Sequence, residues 1–264
     1  MANLSRRNFL RITGVLGAAA GLFATISACA PDNPNNTSSG GSTAAAGSEN
    51  KDGTIRAAIS YELGTNGYDP MTTTAALTVA VNWHVLEGLT EMDPASGETY
   101  AALAKTLPSS EGTSIDVAFR DGATFHDGSA VTADDVVFSF ERVMDPANKS
   151  LYASFIPFIK SVTKKNDTTV TFELEYPVGV FADRLAVVKI VPKAVVEKDP
   201  KAFDALPTGS GPYKLTDNGG TSKKVAFERF DDYNGPKPAR AKTMTWEIIP
   251  DSSTRINSLQ SGST

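Results

Sequence analysis

The chain has 264 residues, 41% of them hydrophobic and 21% charged, with 25 Lys plus Arg against 30 Asp plus Glu and a net charge of −5. That balance fits one large or two ordinary globular domains and excludes a polytopic membrane protein, a collagen-like repeat and a wholly disordered chain. The acidic balance, with no basic cluster past residue 11, excludes nucleic acid as a partner, and a single cysteine forms neither an intramolecular disulfide nor a structural zinc cluster.

Ser5-Arg6-Arg7-Asn8-Phe9-Leu10-Arg11 precedes an uncharged, Ala/Gly-rich run from Ile12 to Ala28. A basic region, an apolar run and small residues before a break form an export signal. The Arg6-Arg7 pair followed by Phe9-Leu10 resembles the twin-arginine variety. The run closes on Ile26-Ser27-Ala28-Cys29, which resembles a bacterial lipobox and predicts lipid attachment at Cys29 with residues 1–28 removed. From residue 30 to 53 the chain is mostly Pro, Asn, Ser, Thr, Gly and Ala with no large apolar side chain. Such a stretch buries too little surface to order itself. It predicts a flexible tether over residues 29–53, with a reach of roughly 25–30 Å.

Residues 54–60 (TIRAAIS) read as a short strand, followed by a polar loop to Tyr68-Asp69-Pro70. A nearly uninterrupted apolar segment over 75–86 predicts a buried helix, with Gly88 as its C′ residue. Residues 114–119 and 168–174 alternate like half-buried strands. Asp121-Gly122 and Asp127-Gly128 are turn dipeptides that bracket a short strand over 123–126. Thr132 caps a helix in which Asp135 completes an acidic capping box, and Val136, Val137, Phe140, Val143 and Met144 share one face. Asp145-Pro146 stops it. Further on, 213–215 and 223–230 form a hairpin across Asn218-Gly219-Gly220, 242–249 is a strand, and 252–260 is a helix.

No catalytic constellation stands out. His84 and His126 are the only histidines, and neither has a metal ligand at the right spacing. There is no metalloprotease, phosphate-loop or nucleophile-elbow motif. Gly209-Ser210-Gly211 lacks the elbow spacing, and Pro212 opposes the helix that would follow. Asp134 and Asp135 point about 100° apart on a helix, which suits capping rather than paired acid–base work. No metal, cofactor or catalytic residue is expected. The loop after the first strand carries Tyr61, Glu62, Asn66 and Tyr68, which gather where ligands bind in mixed α/β folds.

Residues 119–142 (FRDGATFHDGSAVTADDVVFSFER) resemble the signature region of the extracytoplasmic solute-binding proteins of ABC importers, in the group of oligopeptide, dipeptide and nickel binders. Supporting matches are Tyr68-Asp69-Pro70, Leu86-Glu87-Gly88-Leu89, residues 209–215 (GSGPYKL) and 254–262 (TRINSLQSG). The resemblance implies an α/β, periplasmic-binding-protein-like two-lobed clamp of type II with an added subdomain. Here it would comprise the first lobe, over 54–92 and 193–264, plus the added subdomain over 93–192. Members of that family are considerably longer, so the second lobe would be missing, and with it the acidic residue that in peptide binders pairs with the peptide amino terminus. Tyr61, Glu62, Asn66, Tyr68, Gly209, Ser210 and Gly211 are the expected ligand contacts.

The expected function is a monomeric, lipid-anchored binding protein on the outer face of the cytoplasmic membrane. It would capture a small solute, a short peptide first among the classes, and hand it to an ABC permease. Two rivals are a twin-arginine-exported surface hydrolase and a truncated copy that does not transport.

Overall fold

The computed structural model describes residues 53–63 and 67–264, which belong to one compact unit, Gly47–Thr264. Arg6, Arg7, Cys29 and Asn66, with the export signal and nearly all of the tether, lie outside the described residues.

A four-stranded sheet orders β1 (Thr54–Ile59), β11 (Thr243–Ile248), β10 (Lys224–Arg229) and β9 (Tyr213–Asn218) side by side. β1 runs parallel to β11, and the other pairs are antiparallel. Register places Ala57 beside Trp246 and Trp246 beside Val225, so one face carries the apolar residues of all these strands. Helix α1 (Ala76–Val85) contributes Leu77, Val81 and Val85 to the same cluster, at the spacing of one helical face. Its buried polar residues serve the preceding loop: Thr78 Oγ1 donates to Gly67 O (2.7 Å) and Asn82 Nδ2 to Tyr68 O (2.9 Å).

A second apolar cluster gathers residues from Leu89 to Ile190. Its sheet orders β5 (Ser114–Ala118), β7 (Thr169–Leu174) and β6 (Ile159–Asn166), all antiparallel. Helix α2 (Ala133–Met144) lays Val136, Phe140 and Val143 onto it, with Phe140 edge-on to Phe172. Short elements join the two clusters. β2 (Glu87–Gly88) pairs with β8 (Lys189–Ile190), and β3 (Thr90–Met92) pairs with β4 (Thr99–Ala101). Helices α3 (Phe181–Leu185), α4 (Lys193–Lys198) and α5 (Pro200–Ala205) lead back to the first sheet, and α6 (Ser252–Gln260) follows β11.

Two local expectations need correction. Gly88 does not cap α1; it sits in β2, and the helix ends on an extended Leu86. Its lack of a side chain answers a close backbone approach, since a Cβ there would lie 2.7 Å from Thr90 O. Residues 123–126 form no strand, only an isolated bridge between Thr124 and Ala130, because the turns at Gly122 (φ 70°) and Gly128 (φ 86°) leave too little chain between them.

The capping box at α2 is present as expected and reaches further than a cap. Asp135 Oδ2 accepts from Thr132 N (2.9 Å) and Thr132 Oγ1 (2.6 Å), while Oδ1 accepts from Lys193 N at the start of α4 (2.9 Å). Asp134, next to it, makes a surface ion pair with Lys164. Asp135→Ala strands two backbone donors and is expected to cost about 2–3 kcal/mol. Asp134→Ala is expected to move the urea midpoint far less; equal losses in the two variants would refute the bridging role.

Candidate functional site

Between the two apolar clusters lies a set of buried charges. Glu87, in β2, is 3% exposed and forms a bidentate pair with Arg120, both N···O distances being 2.8 Å. Arg120 also donates to Ala102 O (2.6 Å) and through Nε to Asn234 Oδ1 (2.9 Å), and Tyr233 OH donates to Glu87 Oε1 (2.9 Å). The guanidinium lies 5.3 Å from the Tyr233 ring centre. Burial, with the Glu87 carboxylate beside it, pushes the Tyr233 phenol up. Glu91, in β3, accepts from Gly88 N (2.7 Å) and pairs with Lys189 of β8. Burial raises its carboxyl above the usual range, against the pull of Lys189. A third buried pair, Arg142–Asp69, ties α2 to the loop before α1.

Beside these charges Trp83 projects from α1, 40% exposed, into the walls of two cavities. One, of about 280 Å³, is walled by Val79, Met92, Tyr152 and Val187, with Asp183 and Lys189 among its polar members. Tyr152 is fixed there by its hydroxyl, which donates to Thr73 O (3.3 Å). The other, of about 500 Å³, is walled by Tyr100, Tyr213, Tyr233, His84 and Pro238. Apolar and aromatic walls with a few fixed polar groups are the make-up of small-molecule sites. His84 is enclosed by Tyr213, Phe227 and Trp246, and burial lowers its imidazole below its ordinary value. Among the described residues no group of three or more His, Cys, Asp or Glu is arranged to hold a metal.

The residues expected to contact ligand are dispersed. Tyr61 is exposed, and Glu62 makes a surface ion pair with Lys223 at 3.6 Å. Tyr68 is fully buried in the first cluster, its hydroxyl donating to Asn218 O (2.7 Å), so it packs the core and lines neither cavity. Asn66 lies outside the described residues. Gly209 and Gly211 press on the end of α1: a Cβ at Gly209 would stand 2.0 Å from Val85 O, and Gly211 N donates to that carbonyl (2.9 Å). Ser210 is fully buried between them. Tyr152, Asp183, Lys189 and Tyr233 escaped sequence reasoning, since each comes from a distant segment with no motif of its own.

Residues 98–264 match the model for bacterial extracellular solute-binding proteins, family 5, and residues 3–23 match the twin-arginine translocation signal. Protein XP55 of Streptomyces lividans is 36% identical over 188 residues, 69% of this chain and 33% of that protein. The oligopeptide-binding protein AppA of Bacillus subtilis is 35% identical over 159 residues, 57% of this chain and 29% of AppA. Its structure in complex with a nonapeptide superposes with a TM-score of 0.70 at 28% identity, covering 80% of this chain and 43% of AppA. NikZ from Campylobacter jejuni, solved with Ni(L-His), gives 0.68 at 27% identity, covering 81% and 42%. The match thus spans about a third of the length of these curated relatives.

Within the matched region the glycine segment is fastened by His126. Gly209 N donates to His126 Nδ1 (3.2 Å), His126 N donates to Gly209 O (2.7 Å), and Nε2 donates to Gly211 O (2.9 Å), so the ring is neutral with its proton on Nε2. Burial, the largest influence, lowers its pKa to about 4. The unfolded chain therefore takes up a proton near pH 6.5 that the folded chain refuses until about pH 4. Stability supplied by this histidine is whole above pH 6.5 and is lost as pH falls toward 4, by about 2–3 kcal/mol. His126→Gln is expected to flatten that stretch of a urea-midpoint-versus-pH curve; an unchanged slope would refute the assignment.

Proposed function

The chain belongs to the bacterial extracellular solute-binding proteins, family 5, and on that footing we propose that it is the substrate-binding component of an ABC importer, taking up short peptides. The observation that carries this reading is the cavity pair around Trp83, set at the junction of two apolar clusters and walled by aromatic side chains. Stoichiometric binding rather than turnover agrees with the matched relatives, AppA being a named oligopeptide-binding protein. The division into a first lobe (54–92 and 193–264) and an added subdomain (93–192) agrees with the separate clusters. In this reading the solute seats against Trp83 and its neighbours, a closed form gains population, and that form docks as a monomer on the permease.

The membrane is reached through Cys29. The export signal at residues 3–23 carries the chain out, and acyl groups on the cysteine sulfur and the new amino terminus hold it at the outer face. The chain over 30–53 then lets the folded unit work beside the permease. Cys29→Ala is expected to move the protein from the membrane fraction to the medium; full retention would end the lipid-anchor assignment.

Peptide uptake is tested by equilibrium dialysis of the purified protein against a defined tripeptide library, read by mass spectrometry. Retention of intact tripeptides is expected. Trp83→Ala should weaken it at least tenfold with little change in melting temperature, because the indole is partly exposed. Release of cleaved products, or retention indifferent to Trp83, would overturn the reading.

A further inference from the structure

The smaller cavity beside Trp83 is built for one side chain rather than a whole ligand, its roughly 280 Å³ falling below the usual range for complete small-molecule sites. Three charged residues line it: Glu91, Lys189 and Asp183. Lys189 and Glu91 neutralise each other as a buried pair. Asp183 is different. It accepts a hydrogen bond from the Thr99 hydroxyl and has no ion-pair partner among the described residues. The wall therefore carries one surplus negative charge. Asn82, also at this wall and 4% exposed, has its amide nitrogen bound to Tyr68 O while its amide oxygen has no partner among the described residues. What this wall leaves over is acceptor capacity and negative charge.

The remaining walls suit the stem of a long side chain. Met92 and Val187 offer apolar surface, and Trp83 and Tyr152 offer aromatic surface. A flexible methylene chain packs on such walls while its charged head seeks a counter-ion, and aromatic faces attract cations as well. A carboxylate head would meet Asp183 and Glu91 with only the already paired Lys189 in its favour.

We infer that this cavity is a specificity subsite for a basic group, an ammonium or guanidinium on an aliphatic stem, with Asp183 as the residue that selects it. This deepens the solute-binding reading and rests on it, naming lysine- or arginine-bearing peptides as the favoured class. Asp183 is a recognition residue, held in place by Thr99 at the start of β4.

The test uses fragments that occupy only the subsite. The purified protein is titrated at low ionic strength with n-butylammonium, 1-butanol and butyrate. The readouts are the methyl resonances of Met92 and Val187 and the indole N–H of Trp83. The expected order is ammonium, alcohol, carboxylate, with ammonium saturating at a concentration at least fivefold below that of the alcohol. Asp183→Asn should bring ammonium to within twofold of the alcohol and leave the alcohol unchanged. Thr99→Val removes the hydroxyl donor but not the charge and should keep the preference, which separates lost recognition from lost folding. Alcohol or carboxylate binding first, a preference that survives Asp183→Asn, or no shift from any of the three would overturn the inference. Failure of the tripeptide dialysis with the fragment order intact would count against peptide uptake alone, whereas peptide retention indifferent to basic side chains would count against the subsite alone.

Discussion

Everything at the junction depends on Arg120 and Glu87 meeting where water does not reach. Removing a carboxylate and a guanidinium from water costs several kcal/mol per ion unless geometry and extra hydrogen bonds compensate. Here they do: two parallel N–H···O contacts of 2.8 Å, a third donation to Ala102 O, a fourth to Asn234, and a phenol from Tyr233 on the same carboxylate. The partners come from four separate stretches of chain, so the pair can form only when all four are in place. Breaking one side would strand the other charge, which makes the arrangement closer to all-or-none than a hydrophobic contact of similar area. The Glu91–Lys189 and Asp69–Arg142 pairs repeat the device on either side.

That clamp of charges explains why the most recognisable sequence in the chain lines neither cavity beside Trp83. In residues 119–142, Arg120 locks Glu87, His126 fastens Gly209 and Gly211, Asp135 joins α2 to α4, and Arg142 holds Asp69. Each carries a polar group from the second cluster to the chain leading into or out of the first. The motif is a fastener, and its glycine counterpart at 209–211 is the surface it closes on, so tight that a Cβ would overlap the Val85 carbonyl.

This also separates what could be read from the sequence from what could not. Helix α2 and the β9–β10 hairpin were legible because their signals are local: a cap with its box partner, one apolar face, and a Gly-Gly turn. The β2–β8 and β3–β4 pairs were not, because strands of two or three residues carry no periodicity. Tyr68 was read as a loop aromatic because a tyrosine beside Gly and Asn looks like ligand chemistry. Its place in the core is decided by Asn218, far along the chain, whose carbonyl takes the hydroxyl. The cavity suffered the same blindness. Trp83, Tyr152, Asp183 and Lys189 come from separate stretches of chain and become neighbours only in the folded protein.

A wall held this firmly has a consequence for recognition. Binding loses affinity to the ordering of whatever was mobile beforehand, about 0.5–1.5 kcal/mol for each flexible side chain immobilised. Tyr152 is tied to Thr73 O, Asp183 to the Thr99 hydroxyl and Lys189 to Glu91 before any solute arrives, so that cost is largely met during folding. Trp83 is the exception, half open to solvent between two cavities and without a hydrogen bond to fix it among the described residues. In the proposed reading, the groups already held by hydrogen bonds and ion pairs would supply discrimination, and the half-open tryptophan would supply tolerance of different solutes.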